Sequence, residues 1–312
     1  MAFTMHSHSG QFCPGHAVDS LESIILHAIS LGYKTLGLTE HMPRTSVLDL
    51  YPEELLPTPQ ATLDSLFPRH EEYLSTAASL QEKYADKIHI LIGFEGEWIR
   101  GEEYGSLIGE LAKDPRVDYF IGSLHHTAGI PIDYDKALYQ AAVKACGGAE
   151  DGLYEKYFDE QYDMLSALQP KVVGHFDLIR LMSEDPARKL KSNPKIWGKI
   201  VRNLEKVKEF GGWLEVNTSG LRKGMVEGYP KREIAEEWVK MGGRFTFSDD
   251  SHGIGQVATN YLKGLGYLES LGVQEVWTLE RETHPGTVGG KKSGLREKSV
   301  TIGKFKASLS LP

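Results

Sequence analysis

Three histidines stand within the first sixteen residues of the chain, in the stretch TMHSHSGQFCPGH. His6 and His8 are two positions apart, so on a β-strand both side chains point to the same face of the sheet. Histidine is the commonest side-chain ligand for zinc and similar ions. A single His-x-His pair also occurs in polar tails and purification tags, so the rest of the chain has to decide between these interpretations.

Further potential metal ligands follow along the chain, each beside the end of a short apolar run that is typical of a β-strand. They are His16, Glu40-His41, Glu95, His125-His126, His175 and Asp250-Ser251-His252. In a parallel α/β barrel the C-terminal ends of all strands meet on one face, so these residues would line one cup. Nitrogen and oxygen ligands without thiolates predict Zn, Fe or Mn instead of a structural zinc site.

These side chains are too many for one ion, because zinc takes about four ligands. A set of nine with one bridging carboxylate supplies about ten bonds, enough for three divalent metal ions with positions left for water and substrate. The predicted metal ligands are His6, His8, His16, His41, Glu95, His125, His175, Asp250 and His252. His126 would face away from His125 on a strand and is interpreted as a non-ligand, as is Cys13.

The elements that must position these residues are short strands that alternate with longer amphipathic segments. Strands are predicted at 2–6, 34–39, 88–94, 118–122, 171–174, 213–217, 243–247 and 274–279. Helices are predicted near 19–31, 68–86, 102–113, 152–168, 194–210, 230–241 and 256–271. Such alternation is typical of an α/β fold with a parallel sheet and helices outside it.

The same alternation predicts one barrel domain over residues 1–282. Insertions interrupt it at about 43–67, where four prolines predict a long loop, and at about 127–150. Residues 283–312 turn basic and rich in glycine, which predicts an exposed C-terminal tail.

Composition narrows the function. Of the 312 residues, 40% are hydrophobic and 25% are charged, which is ordinary for a globular protein. The formal charge of −8 argues against nucleic acid as a partner. We find no membrane-spanning run and no signal peptide, and the two cysteines suit a reducing compartment, so a cytoplasmic protein is expected. The sequence does not predict the oligomeric state.

Taken together, the motifs resemble those of the PHP (polymerase and histidinol phosphatase) superfamily. They read His6-Ser7-His8, Glu40-His41, Gly93-Phe94-Glu95, Ser123-Leu124-His125, Gly174-His175 and Asp250-Ser251-His252, and they span about residues 3–280. The resemblance implies a distorted, TIM-like (βα)7 barrel that holds three metal ions at the C-terminal ends of its strands. The eight predicted strands are one too many for such a barrel. The strand at 274–279 has the weakest link to the site, because it contributes no ligand.

The resemblance also implies how the ligands are shared. His6, His8, Glu95 and Asp250 would hold one ion. Glu95 would bridge to a second ion, held also by His125 and His175. His16, His41 and His252 would hold the third.

Several segments are similar to the histidinol-phosphatase branch of this superfamily, particularly its fungal type. They include GHFDLIR (174–180), EVNTSGLRKG (215–224) and FSDDSHG (247–253). This resemblance implies a phosphatase of histidine biosynthesis that hydrolyses the small phosphate ester L-histidinol phosphate. The alternatives are a PHP phosphoesterase or exonuclease acting on nucleotides, and an inactive PHP scaffold.

The predicted reaction is in-line attack on phosphorus by a metal-bound hydroxide, with Glu95, Asp250 and His252 as catalytic residues. Arginine matches phosphate geometry, and three arginines follow strand ends. The predicted substrate-binding residues are Arg44, Glu97, Arg180, Asn217 and Arg222. Glu97 would pair with the amino group or imidazole of histidinol. Metal-bound water, Asp249 and His126 remain candidates for the general acid.

Overall fold

The computed structural model of the chain describes residues 1–281 and 294–310. Its main sheet has seven parallel strands in the order β1-β2-β3-β4-β7-β8-β9. They are β1 (Phe3–Thr4), β2 (Thr35–Leu38), β3 (His89–Glu97), β4 (Tyr119–Ser123), β7 (Val172–Val173), β8 (Trp213–Asn217) and β9 (Arg244–Ser248). Met5 N donates to Phe247 O at 3.2 Å beside the two outer strands. The sheet is therefore a nearly closed barrel, as predicted.

Helices connect the strands and cover the outside of the barrel. They are α1 (Leu21–Ser30), α2 (Pro59–Lys83), α3 (Gly101–Leu111), α4 (Lys136–Ala145), α5 (Glu150–Leu168), α6 (Pro194–Phe210), α7 (Ser219–Arg222), α8 (Arg232–Lys240) and α9 (Tyr261–Ser270). Local sequence sets several of their ends. Asn193 caps the first turn of α6 and Pro194 occupies its first position, while Gly211 ends it with a left-handed backbone. None of the helices in the described part of the chain is long and apolar enough to cross a membrane.

The barrel interior below the site is filled by Tyr119. Its hydroxyl donates to Met5 O at 2.6 Å, and a Cβ on Gly37 would lie only 2.1 Å from that hydroxyl oxygen. Gly37 is therefore required by close packing. On β3, Gly93 lies against Tyr119, and Glu95 and Glu97 follow it on the same face because side chains alternate along a strand. Tyr119 thus packs against the part of β3 that precedes these two carboxylates.

Both insertions contain more regular structure than expected. Thr58 caps α2 and Pro59 begins it, so the irregular part of the first insertion is residues 43–58, with two 3-10 turns. The second insertion contains α4 and a small hairpin of β5 (His126–Thr127) and β6 (Ile130–Pro131). Its two strands belong to a separate sheet and leave the barrel strand count at seven.

The expectation of an exposed tail over 283–312 is wrong for residues 295–308. β10 (Glu275–Arg281) pairs antiparallel with β11 (Leu295–Thr301), and α10 (Ile302–Ser308) follows. Both strands lie outside the barrel sheet, so the eighth predicted strand is not a barrel strand. Phe305 of α10 is fully buried, because its ring packs on Phe3 at 5.1 Å between centroids. Residues 283–293 and 311–312 of the predicted tail lie outside the described residues.

Candidate metal centre

All nine predicted metal ligands lie at the C-terminal end of the barrel. His6 and His8 follow β1, His41 follows β2, and Glu95 lies in the last part of β3. His125, His175, Asp250 and His252 follow β4, β7 and β9. His16 comes from the loop between β1 and α1. Residues spread over almost 250 positions of sequence therefore meet at one end of the fold, as expected for strand ends of a parallel barrel.

Glu95 is the centre of this group, and its two carboxylate oxygens face different histidines. Oε2 lies 3.2 Å from Nε2 of His6 and 3.2 Å from Nδ1 of His41. Oε1 lies 3.0 Å from Nε2 of His175 and 3.4 Å from Nε2 of His125. The side chain is 1% exposed. One buried carboxylate therefore stands between two sets of imidazoles, the arrangement that a bridging ligand requires.

Asp250 forms the other acidic side of the group. Its Oδ1 lies 3.4 Å from Nε2 of His8 and 3.7 Å from Nε2 of His6. Its backbone is left-handed, with φ of 49°, a conformation that aspartate tolerates better than most residues. This backbone turns the carboxylate towards the histidines that follow β1, so Asp250 is a potential ligand with an unusual local geometry.

The chemistry of these residues fits a metal centre. Buried ring nitrogens without a hydrogen-bond partner occur on His6, His8, His41 and His252 within the described residues. Such groups are costly unless a metal ion or a proton donor satisfies them. Burial lowers the pKa of His125 to about 3, so its imidazole is neutral and able to bind a metal. Three groups of ligand atoms lie within 4.8 Å of one another: His6-His8-Asp250, His8-His41-His252 and His41-Glu95-His125.

These groups differ in part from the ligand sharing that the family resemblance implies. His175 belongs to none of the three, although its Nε2 is 3.1 Å from Nε2 of His125. His16 is also outside them and lies farther out, with its side chain 39% exposed and its Nδ1 3.0 Å from Oε1 of Glu53. Its ring is nevertheless 4.7 Å from that of His252, between centroids.

A cavity of about 250 Å³ opens directly onto these ligands. Its walls include side chains that the sequence analysis did not single out, from the first insertion, the second insertion, the segment after β7 and the end of α7. They are Tyr51, Asp133, Tyr134, Leu178 and Lys223. Lys223 supplies a cation next to the histidines. A ligand in this cavity would therefore contact the predicted metal ligands and this cation together.

The sequence analysis also missed Glu215, a fully buried carboxylate on β8. Oε1 accepts from Ser248 Oγ at 2.5 Å and lies 2.8 Å from Nδ1 of His6. Oε2 accepts from the backbone N–H of His175 at 2.8 Å. Glu215 therefore holds two predicted ligands without facing the cavity. It shares a strand face with Asn217, and that spacing was the available signal.

Two acidic residues beside the ligands have other partners. Oε1 of Glu40 accepts from Ser9 N at 2.9 Å and Ser9 Oγ at 2.6 Å, and burial raises the pKa of Glu40 to about 8. Oδ2 of Asp249 accepts from Ala258 N at 2.5 Å, and burial raises its pKa to about 6. Both residues fasten the loops that carry ligands, and Asp249 does not line the cavity, so nothing in this geometry assigns it the role of general acid.

None of the three predicted phosphate-binding arginines lines this cavity, and two of them are fixed by other polar partners. Arg180 is 1% exposed and donates to Asp177 Oδ2 at 2.5 Å and to two backbone carbonyls, Pro186 O and Gly228 O. Its guanidinium is therefore used to join loops. Arg44 is buried and ion-paired to Glu54 and Glu97. The substrate-binding predictions for Arg44 and Arg180 do not fit this geometry.

The other three predicted substrate-binding residues support the ligands. Arg222 donates to Asp249 O at 2.9 Å and Asp250 O at 2.8 Å, which secures the left-handed turn at Asp250. Nδ2 of Asn217 donates to Glu215 Oε2 at 3.0 Å. Glu97 is fully buried, and its Oε1 is 2.7 Å from Nδ1 of His41. All three therefore contact predicted ligands, or a residue that holds them, and none lines the cavity.

His126 and Cys13 remain outside the cavity lining. His126 is buried beside Tyr51, with ring centroids 5.4 Å apart, and burial lowers its pKa to about 3. Cys13 is half-buried in the loop before His16. Burial raises the pKa of its thiol well above the ordinary value, which disfavours a thiolate ligand.

Comparison with known proteins identifies relatives along almost the whole chain. The sequence profile of the PHP domain matches residues 4–219. The chain is 41% identical over 303 residues to a Schizosaccharomyces pombe protein named "Probable histidinol-phosphatase", covering 97% of this chain and 95% of that protein. It is 32% identical over 310 residues to the histidinol-phosphatase of Saccharomyces cerevisiae, covering 90% and 92%.

Solved structures support the fold. A histidinol phosphate phosphatase from Lactococcus lactis, crystallised with Zn, L-histidinol and phosphate, matches with a TM-score of 0.64 at 20% identity. The match covers 89% of this chain and 96% of that one. The likeness confirms the barrel prediction.

Proposed function

Because this chain belongs to the PHP domain family, we propose that it is a metal-dependent phosphoric monoester hydrolase that converts L-histidinol phosphate to L-histidinol and phosphate. The two fungal relatives named as histidinol-phosphatases match over 97% and 90% of this chain. The solved relative that binds Zn, L-histidinol and phosphate has the same barrel. Hydrolysis of this ester belongs to histidine biosynthesis.

The observation that carries the proposal is the position of Glu95 between two sets of buried imidazoles at the floor of a polar cavity. A carboxylate and neutral imidazoles are the donors that zinc and similar ions prefer. When bound there, divalent ions supply a nucleophilic water at neutral pH and offset the charge of a phosphate ester.

We propose three divalent ions, Zn, Fe or Mn, held by the nine predicted ligands. The three groups of close ligand atoms overlap, because His8 and His41 each belong to two of them, and they support more than one ion; the count of three comes from the family resemblance. His16 and His175 lie next to those groups. The ligands are His6, His8, His16, His41, Glu95, His125, His175, Asp250 and His252. Glu95, Asp250 and His252 are the proposed catalytic residues, because they would hold the ions that contact the reacting phosphate.

The remaining residues hold the centre and the substrate. Glu215 fixes His6 with Nε2 turned inwards, because Nδ1 donates to its carboxylate. Arg222 and Asn217 hold the loop of Asp250 and the side chain of Glu215. Lys223, at the cavity wall, is the cation placed to bind the phosphate group directly.

The test is phosphate release from L-histidinol phosphate, compared with p-nitrophenyl phosphate and a short oligonucleotide. We expect strong preference for L-histidinol phosphate, lost on chelation and restored by divalent metal. Preference for the oligonucleotide would replace the proposal with the nuclease alternative. Failure to hydrolyse all three by protein with metal bound would favour a scaffold. The partner that this proposal implies is a small molecule, L-histidinol phosphate. We also propose a cytoplasmic location, which the free thiols of Cys13 and Cys146 support.

A further inference from the structure

Asp133 is an acidic residue of the cavity wall that the metal centre does not use. It lies in the second insertion, between the β5–β6 hairpin and α4, and lines the same cavity as His125, His175 and Asp250. None of the three groups of close ligand atoms includes it. A carboxylate on this wall therefore needs an explanation other than metal binding.

The surroundings of Asp133 leave one of its oxygens without a partner. Oδ1 is buried and has no hydrogen-bond partner among the described residues. Burial raises the pKa of the carboxyl to about 6, while nearby Lys223 and the histidines lower it. The carboxyl is thus mostly ionised at neutral pH. A buried, ionised oxygen without a donor is costly, and a ligand that supplies a donor relieves that cost.

The proposed substrate has such a donor. L-Histidinol phosphate carries a primary ammonium on the carbon next to the phosphate-bearing carbon, so anion and cation are close together in one small molecule. The cavity has a matching arrangement, with Lys223 and the metal centre for the phosphate and Asp133 for a cation. Neighbouring Tyr134 lines the same cavity and is 38% exposed, so this wall borders solvent.

We propose that Asp133 is a specificity-determining residue that binds the ammonium group of an amino-alcohol phosphate ester. This inference rests on the proposed function and adds the group that separates an amino-alcohol phosphate from other phosphate monoesters. It also gives the second insertion a role, because this segment brings a carboxylate to a wall that the barrel strands do not reach.

The experiment compares L-histidinol phosphate with its deaminated analogue, 3-(imidazol-4-yl)propyl phosphate, in the metal-loaded protein and in Asp133→Asn. Asparagine keeps the shape of the side chain and removes the charge. We expect kcat/KM for L-histidinol phosphate to fall about 10- to 100-fold, the usual loss for a hydrogen bond to a charged group, with little change for the analogue. The inhibition constants of L-histidinol and inorganic phosphate provide a second measurement, and only that of L-histidinol should rise.

Asp163→Asn is the matched control, since it removes one negative charge from an exposed position on α5. Equal losses with both substrates would overturn the inference, because Asp133 would then act on the phosphate end or through Lys223. Unchanged kcat/KM values for both substrates in Asp133→Asn would overturn it as well. A wild-type protein that does not prefer L-histidinol phosphate over p-nitrophenyl phosphate would instead contradict the proposed function.

Discussion

Oε1 of Glu215 lies 2.8 Å from Nδ1 of His6, and both side chains are fully buried. The carboxylate accepts a hydrogen bond from Nδ1–H, which leaves Nε2 as the nitrogen that faces Glu95 and Asp250. Such a partner selects the imidazole tautomer and fixes the ring orientation before an ion binds. The pair therefore joins β8 to the loop after β1 in a geometry that serves metal binding.

Replacing Glu215 with glutamine should weaken metal binding. The carboxylate accepts from four donors: His6 Nδ1, Ser248 Oγ, His175 N and Asn217 Nδ2. A glutamine amide would present its own N–H groups to two of them. We expect a loss of about 10- to 100-fold in metal affinity or activity, measured by metal content after dialysis and by kcat/KM. Exposed Glu205→Gln on α6 is the control, and full metal occupancy in the Glu215 variant would contradict the prediction.

Removal of metal should abolish activity and also lower thermal stability. The ring nitrogens of His6, His8 and His41 are buried beside the carboxylates of the centre, and a bound ion would satisfy nitrogens and carboxylates together. A ligand that binds only the folded state at about 100 times its Kd stabilises it by about 2.7 kcal/mol. We expect a lower Tm after chelation, reversed by added zinc or manganese, in differential scanning calorimetry. Undiminished phosphate release by protein shown to be metal-free would refute this expectation.

Arg222→Ala should reduce kcat more than it raises KM. The guanidinium donates to the carbonyls of Asp249 and Asp250, so its loss frees the left-handed turn and misplaces a ligand. We expect a fall of about 10-fold or more in kcat, the range for a hydrogen bond to a charged group, together with lower metal content. The inhibition constant of inorganic phosphate should stay the same. A large rise in that constant with normal metal content would show instead that Arg222 binds phosphate.

The meeting of the nine predicted ligands at one end of the barrel was predictable because these residues follow strands, and parallel strands converge at one end. The directions of the arginine side chains were not predictable, because a long side chain after a strand can point into the cavity or towards the surrounding loops. Arg180 turns towards two backbone carbonyls that only the folded loops bring near it. Asp133 carried no signal, since an insertion has no periodicity that assigns its side chains to a cavity.

The C-terminal strand escaped prediction because its composition resembles that of a tail. β11 is an outer strand with charged side chains, and these form ion pairs on its surface. Glu297 pairs with Lys171 at 2.5 Å, and Arg296 pairs with Glu280 at 2.5 Å. Only Val300 of this strand is buried. Charged residues that form ion pairs between two strands cannot be distinguished, from the sequence alone, from charged residues that face solvent.

His70 should make the protein less stable at acidic pH. Burial in α2 lowers the pKa of His70 to about 4, below the ordinary value of 6.5, so only the unfolded chain takes up a proton readily between these values. Its stabilising contribution is complete above pH 6.5 and is lost as the pH falls towards 4. The loss should reach about 3 kcal/mol.

The measurement is the free energy of unfolding of wild type and His70→Phe, by denaturant titration at several pH values between 4 and 7. The histidines of the metal centre titrate in both proteins, so the difference between the two curves isolates His70. The variant should gain relative stability as the pH falls. Two parallel curves would show that His70 does not contribute to the acid sensitivity.

Phe305→Ala should destabilise the whole barrel, although the residue lies in a segment with the composition of a tail. The Phe305 ring contacts Phe3 of β1, Phe247 of β9 and Tyr261 of α9, with centroids 5.1, 5.4 and 5.9 Å away. It therefore covers the place where the first and last barrel strands meet. Truncation of a buried phenylalanine costs about 3–5 kcal/mol, and exposed Lys304→Ala should cost far less. Urea unfolding measures both. Equal midpoints for Phe305→Ala and wild type would mean that α10 is dispensable and that the barrel closes without it.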